Sequence, residues 1–75
     1  MKLTKNQNDL KSCLTDKIET LSDICDKYAL IQAKKGYSPN GHVWKSAVSR
    51  IIQALIVHGV AEKQGRGLYR LNQKN

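Results

Sequence analysis

The stretch His42–Leu71, HVWKSAVSRIIQALIVHGVAEKQGRGLYRL, decides how this chain is read. Turned by about 100° per residue, Val43, Trp44, Ala47, Val48, Ile51, Ile52, Ala54 and Leu55 fall within one broad arc. His42, Lys45, Ser46, Ser49, Arg50 and Gln53 fill the opposite arc, with no apolar residue until Val57. Burying a large apolar side chain contributes about 1.5–3 kcal/mol, so this helix, over about 41–58, is expected to be the spine of the core. Gly59 supplies its stop. Beyond it, residues 60–63 and 68–71 read as two short strands around Gln64-Gly65-Arg66-Gly67, whose glycines permit the positive φ angles of a tight turn. A lone hairpin is marginal in water, so its apolar face must pack on the helix.

Working outward toward the N-terminus, Thr4-Lys5-Asn6-Gln7 fits a capping box, with Leu10, Cys13, Leu14 and Ile18 marking one helical face. A first helix is predicted over about 4–15. Lys17-Ile18-Glu19 has two readings. It is an extended bridge followed by a new helix capped by Thr20 with Asp23 at N3, or a single helix runs through with a heptad-like pattern from Leu10 to Ile31. Thr15, Asp16 and Thr20 are poor helix-interior residues and good caps, which favours the break. Leu21, Ile24, Cys25, Tyr28 and Ile31 then share one face of a second helix, about 20–35, with Gly36 as its stop. The loop Gly36–Gly41 is long for the turn of a minimal pair of helices, and Ser38 or Asn40 can cap the third helix. Residues 72–75 read as a polar tail.

The chain has 75 residues, enough for one small domain. Thirteen Lys and Arg against six acidic residues give a net charge of +7, a field that attracts polyanions. Cys13 and Cys25 both fall at apolar helical positions, so they read as reduced core thiols of a cytoplasmic protein. No apolar run approaches the length of a membrane span.

Catalytic and metal chemistry find no support. Two Cys and two His match no zinc spacing, Gly65-x-Gly67 leads into a strand rather than a helix, and Ser46 and Ser49 have no base–carboxylate partners in sequence. His58 reads as a partly buried or dipole-pairing residue at a helix end. No enzyme activity, cofactor or metal is expected, and no small-molecule ligand is evident in the sequence.

The polar arc of the third helix is different. It carries side chains that hydrogen-bond base edges or phosphates and no acidic residue. An ordinary solvated face is the plainer reading of that arc alone. Lys63, Gln64, Arg66 and Arg70 surround a slim glycine turn able to approach a sugar-phosphate edge.

The segments VSRIIQALIVHGV (Val48–Val60) and GRGLYRL (Gly65–Leu71) resemble the recognition-helix end and the wing of prokaryotic winged helix-turn-helix regulators, including the amino-terminal domains of AbiEi-type antitoxins. That resemblance implies an α+β, mostly α fold, with three helices and a two- or three-stranded antiparallel wing sheet. It places groove-reading positions on Lys45, Ser46, Ser49, Arg50 and Gln53, and wing contacts on Lys63 and Arg66. The expected function is sequence-specific binding of double-stranded DNA by a small bacterial or phage transcriptional regulator, with dimerisation left open. A protein-interaction module (for example a phage-encoded inhibitor), an RNA-binding winged helix and a coiled coil are the alternatives.

Overall fold

The structure, a computed structural model, describes residues 2–72. Its elements are helix α1 (Lys5–Lys11), strand β1 (Glu19–Thr20), helix α2 (Leu21–Lys34), a 3-10 turn (Gly41–Trp44), helix α3 (Lys45–Val57), and strands β2 (Ala61–Gly65) and β3 (Leu68–Leu71). The class is α+β, with three α-helices and one three-stranded antiparallel sheet in the order β1-β3-β2. No helix of the described residues is long and apolar enough to cross a membrane.

The capping box forms: Thr4 Oγ1 accepts from the Gln7 N–H at 3.2 Å, and Gln7 Oε1 accepts from the Thr4 N–H at 3.0 Å. Helix α1 nevertheless ends at Lys11, short of the expected Thr15. Side chains compete with the helical ladder there. The Ser12 hydroxyl donates to the Asp9 carbonyl at 2.6 Å, and Thr15 Oγ1 accepts from the Lys17 N–H at 3.1 Å. Cys13 and Leu14 still reach the core, whereas Ile18, expected on the same face, is exposed.

The bridge between the first two helices does extend, ruling out the continuous helix and its coiled-coil reading. Its paired residues lie slightly later than expected: Glu19 opposes Tyr69 and Thr20 opposes Leu68. Thr20 both closes this strand and caps α2, its Oγ1 accepting from the Asp23 N–H at 3.1 Å. Both jobs are compatible because an N-cap residue keeps extended dihedrals, here φ −77° and ψ 156°. Farther along, the Leu71 N–H donates to the Thr15 carbonyl at 2.8 Å, so residues 15–20 run antiparallel beside β3.

Helices α2 and α3 end in the same way. At α2 the Gly36 N–H reaches Ala33 O and the Tyr37 N–H reaches Gln32 O, each at 3.0 Å, with Gly36 at φ +92°. At α3 the Gly59 N–H reaches Ile56 O at 3.0 Å and the Val60 N–H reaches Leu55 O at 2.9 Å, with Gly59 at φ +76°. These are Schellman caps, in which a left-handed residue lets two later N–H groups satisfy the last carbonyls.

Leu10, Ile24, Tyr28, Val48, Ile52 and Leu55 are the largest fully buried side chains, joined from the sheet by Ala61 and Tyr69. On α2 the buried face is rotated from the expected one: Ala29 and Gln32 are buried, while Leu21 and Ile31 pack at the edge of the core. The long loop after α2 is pinned by Trp44, whose indole N–H donates to the Ser38 carbonyl at 2.9 Å. Trp44 also meets Tyr28 and Tyr37 edge-on, at centroid distances of 5.6 and 6.2 Å. Such pairs contribute about 0.5–1.5 kcal/mol beyond area burial, which lets a connection of this length stay in place.

Two expectations for the third helix are corrected. Its first turn is a 3-10 turn capped by Asn40, whose Oδ1 accepts from the His42 N–H at 3.0 Å; Ser38 instead accepts from the Asn40 N–H. Three residues per turn rather than 3.6 move Val43 off the apolar arc, and it is 62% exposed. Of the two readings of His58, the structure gives the helix-end one: it is the exposed C-cap residue of α3 and is not partly buried. The hairpin tip is also tighter than expected. Gly65 belongs to β2, a register shift falls between Lys63 and Gly65, and the turn is Arg66-Gly67 with Gly67 at φ +71°. Asn72, placed in the tail, donates its N–H to the Val60 carbonyl at 2.9 Å; residues 73–75 lie outside the described residues.

Cys13 and Cys25 are free and buried. Burial pushes the Cys13 thiol from 9.0 up to about 11, and it raises the Cys25 thiol and the Tyr28 phenol as well. These groups are neutral when folded at pH values where the unfolded chain ionises them. Their stabilising contribution is therefore complete below the unfolded pKa and is lost as pH rises, for Cys13 between about 9 and about 11. At pH 8, alkylation of Cys13 by iodoacetamide is expected to be about 100-fold slower in the folded protein than in denaturant, from ionisation alone. Equal rates in the two states, read by mass spectrometry, would contradict this packing.

Candidate nucleic-acid interface

The solvent-facing arc of α3 keeps its expected composition. Lys45, Ser46, Arg50 and Gln53 are exposed and Ser49 is half-buried, while His42 joins them from the 3-10 turn. Two clefts flank this ridge. On the hairpin side a cleft of about 430 Å³ lies between the start of α2, the 3-10 turn and the Arg66-Gly67 turn, with His42, Lys45 and Arg66 in its lining. On the α1 side a cleft of about 460 Å³ is lined by Asn6, Val43, Trp44, Ser46, Ala47, Arg50 and Ile51. Arg50 and Ser46 thus border one cleft and Lys45 and His42 the other. Gln53 stands farther along the ridge.

The hairpin residues separate into two groups. Lys63, Gln64 and Arg66 are exposed. Lys63 alternates onto the same side of β2 as buried Ala61, the side that packs on α3. Arg70, expected as a hairpin contact, is occupied: its Nε donates to Glu62 Oε2 at 2.9 Å, and the two residues are direct cross-strand partners. Gln64 donates to the same carboxylate oxygen at 3.1 Å. Arg70 and Gln64 are therefore held by Glu62, a pairing that strand register creates.

Electrostatically, three of the six acidic residues are taken up in ion pairs away from the α3 ridge. Glu19 pairs with Lys27, Asp9 with Lys35 and Glu62 with Arg70. Among the described residues, Lys45, Arg50, Lys63 and Arg66 enter no salt bridge. Among the described residues, Asp26 is the one carboxylate in the lining of the hairpin-side cleft, and none lines the α1-side cleft. No group of three or more His, Cys, Asp or Glu able to hold a metal ion occurs among the described residues.

Several contributors to this surface escaped the sequence reading, among them Asn6 from α1, Ser22 and Asp26 from α2, and Gly41 from the start of the 3-10 turn. Gly41 is buried with no positive φ, so nothing local marks it. A Cβ there would lie 2.4 Å from Asp26 Oδ1 and 3.1 Å from both the Asp26 Cα and N. The 3-10 turn thus rests on the α2 backbone itself, and this contact sets where α3 begins. Gly41→Ala is expected to cost about 1–3 kcal/mol and to displace the 3-10 turn, because the Asp26 backbone cannot retreat as a side chain can. Urea denaturation checks the cost; a change below about 0.5 kcal/mol would show that the approach is not tight.

Compared with family models, curated proteins and solved structures, the chain gives no significant match.

Proposed function

We propose that this chain is a winged helix-turn-helix domain that binds double-stranded DNA, as a small transcriptional regulator of a bacterium or phage. The observation that carries the reading is an α3 face without an acidic residue that carries Lys45 and Arg50, with Arg66 across one cleft from Lys45, none of the three in a salt bridge among the described residues. The order helix, short strand, helix, helix, hairpin and the sheet order β1-β3-β2 support it. Buried free thiols fit a reducing, cytoplasmic setting.

In this reading α3 lies in the major groove. Arg50 pairs bidentately with guanine, Gln53 with adenine, and Lys45, Ser46 and Ser49 set the register on phosphates. The wing is a short one. Strand β1 pairs with β3 up to Leu68, and the Leu21 N–H holds the Gly67 carbonyl at 2.9 Å. The hairpin therefore projects only by its Arg66-Gly67 turn, and Arg66 grips the backbone beside the groove rather than the minor-groove floor.

Fluorescence anisotropy with duplexes selected from a random pool tests this. Neutralising four to six phosphates gives a log–log salt slope of roughly −4 to −5. Arg50→Ala is expected to reduce discrimination between selected and scrambled duplexes by about 1–3 kcal/mol, and Arg66→Ala to weaken both alike. Equal losses from both changes on both duplexes would defeat the division of roles, and a pool that never enriches would defeat the function.

One observation favours a second reading. Val43 and Val57, 62% and 82% exposed, bracket the polar residues of α3 and suit a protein surface better than a phosphate backbone. Amide shifts induced by a duplex that avoid 42–53 and 63–70 would turn the assignment toward a protein-interaction module.

A further inference from the structure

The hairpin-side cleft has more than a basic rim. Its floor is apolar and sheltered: Leu21 and Leu68 are half-buried and Cys25 is buried. Around it stand His42, Lys45 and Arg66, all exposed, none with a salt bridge or side-chain hydrogen bond among the described residues. Lys45 and Arg66 against Asp26 leave the lining one positive charge in excess, with His42 counted as neutral. The volume of about 430 Å³ is that of a small-molecule site, for which about 300 Å³ upward is typical. A bare phosphate group would satisfy the rim and leave the floor unused. The cleft is also built from three separate elements held at fixed spacing. The Leu21 N–H bond to Gly67 O ties the hairpin turn to α2, and the close approach of Gly41 to Asp26 ties the 3-10 turn to the same helix.

We propose that this cleft binds a small organic anion, an apolar body against Leu21, Cys25 and Leu68 with a carboxylate or phosphate head held by Lys45 and Arg66 and within reach of His42. The Cys25 thiol takes part only as apolar surface, since its burial disfavours the thiolate. The site is defined without reference to DNA. Only its regulatory consequence rests on the DNA-binding reading: a bound anion withdraws Lys45 and Arg66 from a duplex, so occupancy would release it.

The test uses the full chain, without DNA, in a ¹⁵N-resolved NMR titration. Three probes are compared: benzoate, its neutral isostere benzamide, and inorganic phosphate. Saturable benzoate shifts are expected at amides 20–22, 41–45 and 66–68. Benzamide and phosphate should each bind at least about fivefold more weakly, since each lacks one half of the recognition. A Lys45→Gln, Arg66→Gln double variant should lose at least about fivefold in benzoate affinity while keeping the dispersion of a folded spectrum. Shifts that do not saturate, that scatter over other lysines, or that benzamide or phosphate reproduces at equal affinity overturn the proposal. So does a folded double variant with undiminished affinity. The wild-type titration decides alone if that variant fails to fold.

Discussion

Leu10→Ala is expected to destabilise the protein by about 3–4 kcal/mol, within the range measured for large-to-small core changes. A domain of this length has roughly 4–11 kcal/mol in total, at about 0.05–0.15 kcal/mol per residue, so much of its stability goes with one side chain. The reason is the weakness of α1. Seven residues are too few for a helix to hold itself in water, and Leu10 is its one buried residue, fully enclosed. Without that anchor the capping box has nothing to orient, and Asn6 leaves the cleft that it shares with Arg50. At about 5 °C per kcal/mol the thermal midpoint should fall by roughly 15–20 °C. Leu30→Ala provides the contrast: the same chemical change at an exposed position should stay within about 0.5 kcal/mol. Comparable midpoints for the two variants would mean that α1 is not part of the cooperative unit.

The second large effect concerns binding. If Lys45 and Arg66 hold phosphates on the two banks of one cleft, reversing both charges places two carboxylates against the duplex. The double variant Lys45→Glu, Arg66→Glu should bind duplex DNA roughly 100- to 1,000-fold more weakly at moderate salt. Its salt slope should flatten by about two, one for each lost phosphate contact. Folding should be nearly untouched, because both side chains are exposed and neither enters a salt bridge. Salt dependence separates this from misfolding: a damaged fold lowers the active fraction at every ionic strength and leaves the slope alone. An affinity within threefold of the parent protein would remove these residues from the interface.

Much of the architecture was legible in the chain because helix ends are local events. Thr4 with Gln7, Thr20 with Asp23, Gly36 and Gly59 each act on N–H or C=O groups within a few residues, so short words of sequence suffice. The apolar arc of α3 was legible for a similar reason, since a 3.6-residue period reveals which face is buried. Where α1 stops, which α2 residues turn inward and how Val43 departs from the arc were harder. Each depends on a competition, hydroxyl against carbonyl or 3-10 against α-helix, that propensity alone leaves nearly balanced.

By itself, the sequence determined the apolar arc of the third helix, the two glycine stops, the hairpin and the acid-free face of α3; it favoured a break before Thr20, which the pairing of β1 with β3 decided. Only the tertiary structure decided which groups meet. The register of β2 against β3 puts Glu62 opposite Arg70 and removes that arginine from the free cations. Pairing of β1 with β3 draws the hairpin turn to the start of α2 and so brings Arg66 to His42 and Lys45. Backbone contact at Gly41 fixes the start of α3 against Asp26, at a glycine whose own φ is ordinary. Periodicity encodes the face a residue occupies, but a partner many positions away is chosen by packing and register, which no local pattern contains.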